Sequence, residues 1–153
     1  MPGCVLRVPG STAAVKAFTA RTSLPVAHVF IKGEPVLPGI AKRSRASGFN
    51  VTVSLAPGTD LARQVRDAQR FMTRHACELR RMKAAFKRAT PVLDFGLFVE
   101  DTPEKYIHSY QLPPSFLKLA GQLGFHVQLS LYPTAAPSAP RSIRGPTMPS
   151  GID

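Results

Sequence analysis

Phe49-Asn50-Val51-Thr52-Val53-Ser54-Leu55 alternates large apolar with small polar side chains over seven residues. Successive side chains of a strand point to opposite faces, so this stretch reads as a strand with one dry face and one open face. Phe125, Val127, Leu129 and Leu131 repeat the pattern against His126, Gln128, Ser130 and Tyr132. Leu93, Phe95, Leu97 and Val99 form a third such row, with Asp94 and Gly96 on its other side. Residues 4–8 and 26–33 are strand-like but less regular, rich in β-branched residues and bounded by Pro or Gly.

Between these strands the period changes to that of a helix. Ser11 can cap a helix through Ala14, Val15, Phe18 and about Arg21. Thr59 or Asp60 can cap a long one over 61–88, whose apolar stripe is Leu61, Val65, Ala68, Met72, Ala76, Leu79, Met82 and Phe86. A third follows Pro113-Pro114, uses Phe116, Leu117, Ala120 and Leu123, and can end at Gly124 in a left-handed cap. The order is β-α-β-β-α-β-α-β. Half-buried strands with helices on one face predict an α+β two-layer sandwich around a largely antiparallel five-stranded sheet. Its first six elements match a ferredoxin-like split βαβ core, and the last helix and strand extend it.

Composition agrees with one domain. The chain has 153 residues, 44% of them apolar, which suffices for a single core. Residues 3–133 are expected to fold. Residues 134–153 carry four prolines and almost no large apolar side chain, and read as a disordered tail. No apolar run reaches the roughly 18–20 residues of a membrane span, and the N-terminal stretch is short for a signal peptide. A cytoplasmic protein with Cys4 and Cys77 as free thiols is expected.

Twenty Lys and Arg oppose nine Asp and Glu, a formal charge of +11. Part of this excess is patterned. On a helical wheel over 61–88, Arg63, Arg70, Arg74, Arg81 and Arg88 fall in a narrow arc opposite the apolar stripe, with Arg66 beside it. Guanidinium forks match phosphate geometry, so this ridge is a candidate contact for nucleic acid or another anionic partner. It lacks the interleaved aromatics with which single-strand binders stack bases.

The second candidate surface is the open sheet face. If Phe49, Phe125 and Leu93 face the helices, the opposite face displays Asn50, Thr52, Ser54, Asp94, His126, Gln128 and Ser130, with Arg7 and His28 joining if their strands keep register. These side chains are small, polar and almost uncharged, whereas a solvated sheet face ordinarily carries more Lys, Glu and Arg. They suit docking of a protein or a small polar ligand. A His126–Asp94 pair could move a proton, which makes a small enzyme the competing expectation. A second copy could dock through a sheet edge or the same face. Two long loops border it: 35–47, with Lys42, Arg43 and Arg45, and 101–112, with Tyr106, His108 and Tyr110.

Several chemistries are excluded. Gly48-Phe49-Asn50-Val51 places its aromatic among the apolar alternates, whereas RNA-recognition domains turn such aromatics to the open face. Asp94-Phe95-Gly96 spells a kinase tripeptide, but no glycine-rich loop or His-Arg-Asp catalytic loop accompanies it. There is no C-x-x-C, H-E-x-x-H, G-x-S-x-G, G-x-G-x-x-G or P-loop, and the four histidines lack metal-ligand spacing. No cofactor, metal or catalytic residue is expected.

Lys32-Gly33-Glu34-Pro35, Ser47-Gly48-Phe49-Asn50-Val51, the long helix, Leu93-Asp94-Phe95-Gly96 and Leu129-Ser130-Leu131-Tyr132-Pro133 follow one another in an order that resembles a family of small, uncharacterised bacterial cytosolic domains. The resemblance spans about residues 4–133 and implies an α+β fold, with no activity and no site residues to carry over.

Overall fold

A computed structural model of the chain describes residues 3–100 and 108–134. The proposed tail beyond Thr134, and Tyr106 with the first half of the 101–112 loop, lie outside the described residues. Five strands and four helices alternate: β1 (Cys4–Gly10), α1 (Thr12–Thr19), β2 (Val26–Phe30), β3 (Ser47–Ser54), α2 (Leu61–Arg74), α3 (Ala76–Ala85), β4 (Val92–Glu100), α4 (Pro114–Gln122) and β5 (His126–Thr134).

The strands form one sheet in the order β2-β3-β1-β4-β5. All pairings are antiparallel except β4 with β5, which run parallel through the α4 crossover. The first four strands interlock two split βαβ units: β3 lies between β1 and β2, and β1 lies between β3 and β4. With its parallel fifth strand the sheet is not that of a plain ferredoxin-like fold, and the α+β class is what holds. The strand order also settles where β5 pairs, which its sequence alone leaves open.

Helix ends follow the local chemistry. The Ser11 hydroxyl accepts from the Ala14 N–H, and the Asp60 carboxylate accepts from the Arg63 N–H at 2.9 Å. Gly124, at φ +71°, closes α4, with Phe125 N–H donating to Ala120 and Gly124 N–H to Gly121. That double closure requires a left-handed residue, which glycine adopts without a Cβ penalty.

The core lies between the sheet and the helices. Leu6 and Val8, Phe49 and Val51, and Leu93 and Phe95 from the three central strands meet Val15, Val65, Met72, Leu79, Met82 and Phe116. Phe49 packs 5.5 Å from Phe18 and 5.6 Å from Phe86.

Two expectations change. The helix over 61–88 is two helices, broken at His75 (φ −102°, ψ 17°). A straight helix of that length would run about 42 Å, beyond strands of roughly 30 Å. Bending at His75, whose ring packs 4.8 Å from Phe71, lets Leu79 and Met82 reach the core as Val65 and Met72 do. The second change is a bulge in β3. Cys4 pairs with Ser54 while Val5 pairs with Thr52, leaving Val53 as the extra residue. From there alternation fails: Ser54 turns toward the helices, and Leu55 lies beyond the strand, 79% exposed.

Candidate functional site

Strand pairing sets the rows of the open face. His28, Asn50, Arg7, Val92 and His126 lie abreast across all five strands, and Thr52, Val5, Asp94 and Gln128 form the next row. Further along β4 and β5 come Gly96 beside Ser130 and Phe98 beside Tyr132. The bulge between Val26 and His28 puts His28 in this array, opposite Asn50.

Asp94 organises the centre. Its side chain is only 4% exposed although it lies on the side away from the helices. Arg7, reaching from the neighbouring strand, pairs with one carboxylate oxygen, and the Ser130 hydroxyl donates to the other at 2.6 Å. Gln128 Nε2 donates in turn to Ser130 Oγ at 3.1 Å. The charge is therefore neutralised within the face and each carboxylate oxygen has a donor, as a buried carboxylate requires. One buried acceptor beside this network, Asn50 Oδ1, has no hydrogen-bond partner among the described residues.

Aromatic groups flank the polar centre. Phe98 and Tyr132 are 46% and 37% exposed, with ring centroids 6.3 Å apart. Phe98 rests on Gly58, where a Cβ would approach its ring to 2.5 Å. At the other end, His28 stacks with Phe30 at 6.2 Å, and Phe30 lies over Gly48.

Of the predicted residues, Asn50, Thr52, Asp94, His126, Gln128 and Ser130 share the open face with Arg7 and His28. Ser54 does not. Its hydroxyl donates to Asp67 Oδ2 of α2 at 2.7 Å and accepts from the Ala56 N–H, because the bulge inverts it. His126 and Asp94 are not drawn together: His126 stands opposite Val92, and Asp94 is held by Arg7 and Ser130. Phe30 and Phe98 went unforeseen, although Phe98 keeps the same parity along its strand as Asp94. The 35–47 loop folds back on itself, with Pro35 bridged to Arg43 and the Arg43 guanidinium donating to Gly33 O at 2.7 Å. His108 is exposed and Tyr110 half-buried.

On the opposite side of the molecule Arg63, Arg66, Arg70, Arg74, Arg81 and Arg88 are all exposed. The break at His75 divides them, four on α2 and the others on α3 and beyond. Arg81 binds Glu78 at 3.0 Å, and Arg70 stands 4.0 Å from Asp67. Val53, Asp67, Arg70, Phe71, Arg74 and His75 line a hollow of about 490 Å³ there.

Other features offer no chemistry of their own. A cleft of about 800 Å³ lies where Gly10 and Ser11 meet Ala85, Lys87 and Arg88. Cys4 is buried, and that burial, with Asp94 and then Asp67 nearby, pushes its thiol far above the ordinary range, whereas Cys77 is exposed. Among the described residues no group of three His, Cys, Asp or Glu could hold a metal ion, and no helix is long and apolar enough to cross a membrane. In comparisons with known proteins, no family model, no curated protein and no solved structure matches the chain.

Proposed function

We propose that the protein is a non-enzymatic recognition module whose open sheet face docks a partner protein through an uncharged, hydrogen-bonding surface. The carrying observation is the charge content of the sheet. Its five strands contain no lysine, a single arginine, and two acids, Asp94 and Glu100. Arg7 and Asp94 neutralise each other within the face. Interface cores are depleted of Lys and Glu and enriched in Tyr, Phe and Arg, and this face has that composition. The unpartnered Asn50 Oδ1 supplies an acceptor for a donor from outside, and Phe98 with Tyr132 supplies apolar area that desolvates easily.

The test is photocrosslinking from a benzoylphenylalanine at position 52, identification of the captured protein, and calorimetric titration with that protein purified. Wild type should bind, Gln128→Arg should bind at least tenfold more weakly, and Arg74→Gln should bind as wild type does. A burial-dependent site must desolvate the added guanidinium. Equal binding by Gln128→Arg would overturn the reading.

A further inference from the structure

The two layers differ in charge as well as in architecture. The four helices carry nine lysines and arginines against two acids, Asp67 and Glu78, whereas the five strands carry one arginine against two acids. Within the helices and strands the positive charge therefore lies mainly on the side away from the open sheet face. Its longest regular row is on α2. Arg63, Arg66, Arg70 and Arg74 follow at three- and four-residue intervals, one guanidinium per turn of about 5.4 Å, opposite the buried Val65, Ala68 and Met72. Among the described residues Arg63, Arg66 and Arg74 form no ion pair, and the only acid near Arg70 stands at 4.0 Å. Where the chain bends, Arg70, Arg74 and His75 line the 490 Å³ hollow.

We infer that the α2 surface binds the phosphate backbone of a nucleic-acid duplex without reading its sequence. Three observations select that ligand. Arginines spaced by one helical turn present parallel forks to a row of phosphates, where each neutralised phosphate releases counterions. On the helices Phe71 and Phe116 are buried and Phe18 is half-buried against Phe49 and Phe86, so no helix offers a fully exposed ring on which an unpaired base could stack. Of the large apolar side chains on the helices only Leu117, on the neighbouring α4, is markedly exposed, so an acidic protein would find a single apolar anchor on this side. The inference is independent of the sheet-face reading, because it uses the opposite side of the molecule.

The experiment is fluorescence anisotropy of the full chain with a 20-bp DNA duplex, a 20-bp RNA duplex, a 20-nucleotide oligo-dT and poly-glutamate. Salt is varied from about 50 to 200 mM. On duplex DNA four phosphate contacts give a log–log salt slope of about −3.6, at roughly −0.9 each. Arg74→Gln should reduce that slope by about one phosphate's worth, and Arg63→Gln/Arg70→Gln/Arg74→Gln should lower affinity at least tenfold with an unchanged circular dichroism spectrum. Lys42→Gln/Arg43→Gln, outside the ridge, should leave both quantities as they are. Preference between the DNA and RNA duplexes identifies the helical form that the ridge fits. Absence of duplex binding at 50 mM salt overturns the inference, as does a ridge variant that binds like wild type. Tighter binding of oligo-dT, or of poly-glutamate at equal charge, overturns it too, in favour of stacking or of an acidic protein.

Discussion

The two ends of the Arg7–Asp94 pair should respond unequally to removal. Asp94 is 4% exposed and Arg7 is 53% exposed, so only the acid depends on its partner for solvation. Arg7→Met keeps the aliphatic stem but leaves a buried carboxylate with Ser130 alone. Losing one member of a buried pair costs about 3–5 kcal/mol, and the half-exposed arginine lowers this to roughly 2–3 kcal/mol here. Asp94→Asn keeps the shape and the bond from Ser130, and frees Arg7 to turn into water. Its cost is the charge-assisted part of the interaction, about 1 kcal/mol. For a chain of 153 residues each kcal/mol moves the Tm by roughly 2–4 °C, so losses of about 8 °C and about 3 °C are expected. The double variant should be more stable than Arg7→Met alone, since no charge then remains buried without a partner. With no tryptophan in the chain, urea unfolding followed by circular dichroism at 222 nm is the suitable assay. A double variant whose loss equals the sum of the two single losses would refute the reasoning, as would a larger loss for Asp94→Asn.

Gly48→Ala should destabilise by about 1–3 kcal/mol, because its Cβ would lie 2.6 Å from the Val8 carbonyl oxygen and 2.5 Å from Phe30 Cζ. A thermal melt checks this, and a raised Tm would mean that the strands part at no cost. In native buffer near pH 8, a disulfide reagent should titrate one thiol per chain, the exposed Cys77. Cys4 should react only after denaturant is added, since burial holds its thiol protonated. Two fast thiols would show that β1 opens readily.

Alternation and turn chemistry carried the elements that local forces decide. Phe49 and Val51 are buried on one side and Asn50 is on the other, as their spacing predicts, because one-residue slips in a half-buried strand reverse every side chain. Ser11, Asp60 and Gly124 end their helices as their side chains, or the lack of one, dictate. Ser54 escaped this logic. Its bulge arises in the pairing with β1, and nothing within 47–54 marks it. The break at His75 likewise follows from the length of the sheet beneath the helix, which residues 61–88 do not encode locally. Gln64 is fully buried within α2, where its amide donates to Pro57 O and Gly96 O, a role visible only once those carbonyls are in place. The Asp94–Ser130 contact depends on β5 lying parallel to β4, with Gly96 opposite Ser130. The candidate residues could therefore be named from parity, while their network could not.

The central position of β1 has a consequence for how the chain is made. This strand is synthesised before either of its neighbours, residues 47–54 and 92–95. At about 5–20 residues per second, β1 waits some 4–17 s for β4 to be synthesised. Throughout that interval Leu6 and Val8 belong to a strand with at least one open edge, whose backbone groups can template pairing with another nascent chain. Polysomes translating a message truncated before codon 92 should therefore accumulate aggregated product, whereas the full-length message completes the sheet and withdraws that strand to its middle.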